Sequence, residues 1–78
     1  MSMRLRDCAP GDRLTLRRLR VRAGERLRLL ELGFVPGALL HVIARGATGG
    51  LLVGLGDARV ALDGATAGAL LVEPDVAR

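Results

Sequence analysis

A small, mainly β domain, a partly open barrel of about five strands with one short α-helix, is the fold that this sequence predicts, and three observations predict it. Turn dipeptides at Pro10-Gly11, Pro36-Gly37 and Gly56-Asp57 separate short runs rich in Leu and Val. Only one stretch, about residues 24–32, combines strong helix formers with helical charge spacing. Five short strands in a chain of 78 residues close most economically into a barrel, which leaves few strand edges unpaired.

The elements follow in order. After the Pro10-Gly11 turn, Leu14 and Leu16 point one way while Arg13, Thr15 and Arg17 point the other, the pattern of a half-buried strand with a basic outer face. At Arg17-Arg18 the alternation slips by one residue before Leu19 and Val21 resume it, which predicts a β-bulge within one bent strand, residues 12–22. From Glu25 to Leu32 there is no β-branched residue, and Glu25/Arg28 and Arg28/Glu31 stand three apart, so this is the helix. Gly33 is its left-handed stop, and Val35-Pro36-Gly37 reads as a type II turn. A meander follows: an apolar strand 38–44, a Gly-rich loop 46–50, and strands 51–55 and 58–62 joined by Gly56-Asp57. Asp63 is placed to cap a short helical turn, about 63–67, ended by Gly68. A last strand 69–73 stops at Pro74, with 75–78 expected as a frayed tail.

Composition sets the limits. Half of the residues are apolar, enough for one core and one domain, residues 1–78. Sixteen Leu, seven Val and one Ile against Phe34 as the single aromatic mean an aliphatic core of modest stability. Arg4, Arg6, Asp7 and Asp12 interrupt any leader-like run, and the apolar window 29–44 is broken by Glu31, Pro36, Gly37 and His41. Neither a signal peptide nor a membrane span is therefore expected, and a cytosolic location is. Cys8 is the only cysteine, a packing residue suited to a reducing compartment. Residues 1–28 carry nine Arg against three acids, so the basic end of the molecule is its first third.

The segment Leu30 to Gly37, LELGFVPG, preceded by an Arg- and Leu-rich helix and followed by an apolar strand, resembles the signature of the FeoA family, small cytosolic proteins of bacterial ferrous-iron uptake. The opening Leu5 to Gly11, LRDCAPG, the Gly-rich loop, the hairpin and the closing stretch 67–73 are similar in order and spacing, so the likeness spans about nine tenths of the chain. It departs in the loop filled here by GATGG. The resemblance implies an SH3-like barrel and a role in ferrous-iron transport through a membrane permease that carries a cytosolic GTPase domain. It implies no reaction. The same barrel forms the C-terminal domain of some metal-dependent repressors, so a metal-binding or sensing domain is the alternative.

On the helix, four leucines spread over roughly 220° with Arg26 inside the arc, wider than one small core needs. Leu27/Leu30 and Leu29/Leu32 form two ridges, and the expectation is that one ridge docks on a partner with Arg26 and Arg28 beside it. Pro10, Gly11, Gly33, Pro36 and Gly37 serve backbone geometry and aim the helix. His41, Asp57, Asp63 and Glu73 are the candidate ligands for Fe(II) or Zn(II), in a chain with no paired His or Cys motif and no required cofactor. Gly54 and Gly56 read as hairpin glycines: Arg59 stands where a dinucleotide fingerprint needs its third Gly. No nucleophile and base stand at recognisable spacing, so no enzymatic activity and no small-molecule substrate are expected. The Arg-rich strand leaves a third reading, backbone contact with nucleic acid, which the lack of stacking aromatics weakens.

Overall fold

The computed structural model describes residues 2–75. The predicted first long strand is β2, Arg13–Leu19, which buries Leu14, Leu16 and Leu19 and exposes Arg13, Arg17 and Arg18. The slip in its alternation is a bulge: against β6, Leu70–Pro74, Leu16 pairs with Val72 and Arg18 with Leu71, leaving Arg17 as the extra residue. The strand ends three residues short of the predicted 22, and Arg20 instead donates its N–H to the Ala69 carbonyl at 2.8 Å. Pro74 still pairs with Leu14, and Asp75 donates to Arg13 at 3.0 Å, so Asp75 is held and not frayed. Positions 76–78 of the predicted tail lie outside the described residues.

The meander forms as expected. Strand β3, Leu39–Arg45, pairs with β4, Leu51–Leu55, and β4 with β5, Ala58–Leu62. A second bulge, between Val42 and Ala44, bends β3. The strand not foreseen is β1, Met3–Arg4, which adds to β6 through Met3/Val72 and Arg4/Leu71. The result is one antiparallel sheet of six strands in the order β1-β6-β2-β3-β4-β5, a small SH3-like fold.

Its two helices are short. Helix α1, Ala23–Leu32, ends as the sequence requires: Gly33 takes φ +109°, its N–H donates to Leu30 O at 3.0 Å, and the Phe34 N–H donates to Leu29 O at 2.9 Å. That closure drives Phe34 into the core with no exposed surface, beside buried Leu5, Leu14, Leu16, Leu29, Leu40, Leu70 and Val72. Helix α2, Gly64–Ala69, starts at Asp63 and runs two residues past the predicted end, so Gly68 lies inside it.

Leu5–Asp7 make a single 3-10 turn that buries Leu5 and delivers Cys8 to the core. Arg45 ties this segment down, Nη1 donating to the carbonyls of Arg6 at 2.8 Å and Cys8 at 2.6 Å. Burial, then the charges of Asp12 and Asp7, push the Cys8 thiol up against the pull of Arg45. A thiol pKa raised by folding gives stability that is full below the unfolded value, about 8.5, and is lost as pH rises through the folded value. We therefore expect iodoacetamide at pH 8 to alkylate the native protein at least about tenfold more slowly than the unfolded chain. Equal rates would place Cys8 at the surface.

Candidate functional site

The helix that carried the sharpest expectation divides its leucines in a way the sequence does not show. Leu29 is buried and Leu30 half-buried, while Leu27 and Leu32 are 58% and 51% exposed. Each predicted ridge thus gives one side chain to the core and one to solvent, instead of one ridge sinking whole. The inward direction falls between Leu29 and Leu30, and Arg26 lies in the same arc. Its Nη2 donates to the Leu19 carbonyl at 2.8 Å, tying α1 to the end of β2. Leu29 and Arg26, both placed with the docking residues by sequence, are therefore engaged within the fold. Arg28 points outward, 3.2 Å from Glu25.

Beyond the helix the apolar surface continues. Val35 is 43% and Leu39 61% exposed, so four of the five exposed large apolar side chains among the described residues fall between positions 27 and 39. The turn between them is fixed: Ala38 donates to Val35 O at 2.9 Å, Gly37 sits at φ +93°, and its N–H donates to Leu16 O at 2.7 Å. Pro10-Gly11 makes a similar bend, with Asp12 N–H on Ala9 O at 3.0 Å and Gly11 N–H on Val42 O at 2.8 Å. Gly11 and Gly37 both take positive φ at these bends. On the far side of α1, Leu32 and Arg28 line a groove of about 290 Å³ with Val60, Leu62 and Asp63. The exposed apolar side chains of α1 and of the segment after it, with Arg28 outward on the same helix, are of the kind that another protein's apolar side chains cover.

The four candidate metal ligands are not brought together, and no group of three or more His, Cys, Asp or Glu poised for a metal exists among the described residues. His41 and Asp57 share a groove, but with Arg59 on its wall. The His41 ring covers Gly54, its partner across the sheet, where a side chain would collide with the imidazole. Gly54 is thus a mid-strand position under a histidine, and only Gly56, at φ +61°, serves the hairpin. Glu73 lies 3.7 Å from Arg17.

Asp63 caps α2, its Oδ1 accepting from the Thr66 N–H at 2.7 Å, and that bond holds its carboxyl below the usual carboxylate range. A carboxylate lowered by folding gives stability that is present above its unfolded value, about 3.9, and lost as pH falls through the folded one. Asp63→Ala is expected to lower Tm at pH 7, with the difference from wild type vanishing in strong acid, while Asp63→Asn, which still caps, stays close to wild type. A deficit of Asp63→Ala that persists at the lowest pH would assign Asp63 a role other than capping.

The model of the FeoA domain matches residues 3–74. Among solved structures, FeoA from Chlorobium tepidum superposes with a TM-score of 0.86 at 26% identity, over 92% of this chain and 70% of that one. Zinc-complexed FeoA from Stenotrophomonas maltophilia, described as a prokaryotic SH3 domain protein and put forward as a ferrous iron transport activating factor, matches at 32% identity. That match covers 91% of this chain and 89% of the other with a TM-score of 0.76. A manganese-dependent transcriptional repressor contains the same domain at 28% identity and TM-score 0.82, over 94% of this chain and 41% of the repressor. Among curated proteins, none matches the chain.

Proposed function

Because the chain belongs to the FeoA domain family, a family associated with ferrous iron transport, we propose that it acts without catalysis, by docking on the cytosolic, GTPase-bearing part of a ferrous-iron permease. The observation that carries this reading is the exposure of Leu27, Leu32, Val35 and Leu39, each at least 43% exposed on α1 and the turn and strand after it, whereas the other described large aliphatic side chains are buried wholly or in part. Fully burying an exposed side chain of this kind is worth about 1.5–3 kcal/mol, so at 43–61% exposure roughly half of that remains for a partner's apolar surface to recover. Arg28, exposed on the same helix, offers charge pairing to an acidic partner surface. No described helix is long and apolar enough to cross a membrane; the contact proposed is with the permease's cytosolic part.

The test is binding of the purified protein to that cytosolic region, with and without GTP, with hydrolysis followed in parallel. Saturable binding supports the reading, and any change in hydrolysis gives its sign; no binding under either condition removes it. Metal binding is the second reading, raised by the zinc and manganese proteins that share the fold. The donors here do not fit it: Asp63 is committed to a cap, Glu73 lies against Arg17, and His41 with Asp57 makes two ligands, not three.

A further inference from the structure

The basic excess of the chain's first third is concentrated by the topology. Strand β1 lies on one side of β6 and β2 on the other, so Arg4, Arg6 and Arg20 converge on one groove of about 300 Å³ closed by Ala65, Gly68, Ala69 and Leu71. No carboxylate lines this groove, and none of the three arginines is ion-paired among the described residues. Arg6 is half-buried, its guanidinium laid over Gly68, where an added Cβ would stand 3.2 Å from Nη1 and 3.3 Å from Cζ. The backbone on both sides is fixed, by Arg20 N–H on Ala69 O and by Arg45 on the Arg6 carbonyl.

Three arginines that line one groove without a carboxylate repel one another, and an anion placed between them reverses the sign of that interaction. A carboxylate, with one charge and two oxygens, satisfies a single fork. A phosphate carries about two charges and three terminal oxygens, which several forks can share. We propose that the Arg4–Arg6–Arg20 groove binds the phosphate group of a small phosphorylated anion.

Titration with pyrophosphate at low ionic strength, read from amide chemical shifts, is the test. Saturable binding centred on Arg6, Arg20 and Gly68 is expected. Arg6→Gln or Arg20→Gln should weaken it about tenfold or more, whereas Arg59→Gln, which removes one charge elsewhere, should not. Gly68→Ala keeps every charge and favours α2, yet makes the Arg6 guanidinium give by a few tenths of an ångström; weaker binding with Tm held or raised separates loss of the site from loss of the fold. Sedimentation with phosphatidylglycerol vesicles, compared with phosphatidylcholine, distinguishes the sources: capture that depends on Arg6 and Arg20 assigns a lipid headgroup, and pyrophosphate binding without capture assigns a free ligand. The proposal is overturned by absence of both, by equal loss in Arg59→Gln, or by citrate binding as tightly as pyrophosphate.

Discussion

A chain carrying Phe34→Ala is expected to be largely unfolded at room temperature. Phe34 is the only aromatic residue, has no exposed surface, and is set at the junction of α1 and the sheet by the hydrogen bonds that end the helix. Removing such a ring costs about 3–5 kcal/mol through lost burial and the cavity left behind. Domains of this size hold about 4–12 kcal/mol in total, with aliphatic cores of 70–80 residues at the low end. Phe34→Leu keeps most of the volume and should cost less than half as much. Urea denaturation followed by circular dichroism decides it: a cooperative transition for Phe34→Ala with the wild-type midpoint would mean that the core closes without its ring.

The second large effect is a contrast between two leucines two positions apart on α1. Leu27→Glu puts a charge on a side chain already 58% exposed and should leave the unfolding midpoint near wild type, while partner binding is lost. Leu29→Glu puts the same charge on a residue 2% exposed, in a described core that holds no buried charged residue, and should unfold the domain. An intact Leu27→Glu protein that binds the permease fragment as wild type would take the docking surface off α1. Unfolding of Leu27→Glu would show that its side chain holds the core.

Much of this fold is legible in the sequence because local rules agree with the global one. The bulge at Arg17 shows as a broken alternation, Gly33 marks a helix end with a positive φ, and β4 and β5 stand at their predicted bounds around Gly56-Asp57. What is not legible depends on partners far away in sequence. Met3–Arg4 is too short to show a period, and only β6 makes it a strand. The division of α1 follows from where the helix lies on the sheet: its own pattern admits either ridge as the buried one, while the structure takes one leucine from each. Gly54 reads as a turn residue until His41 is found lying over it. The arginine groove shows in the sequence only as a charge excess, since Arg4, Arg6 and Arg20 meet through the sheet order.

That sheet order also ranks the parts of the molecule by how readily they open. Strands β3, β4 and β5 are consecutive, joined by connections of five and two residues, and can form while the rest of the chain is loose. The Met3/Val72 pairing spans nearly the whole chain and rests on two residues at the sheet's margin, so its amides should exchange with solvent before those of Val53 or Val42. The groove of Arg4 and Arg6 is built on this marginal seam. Any anion that fills it therefore slows hydrogen exchange at the seam first, and acts as a latch on the part of the fold that local contacts hold least.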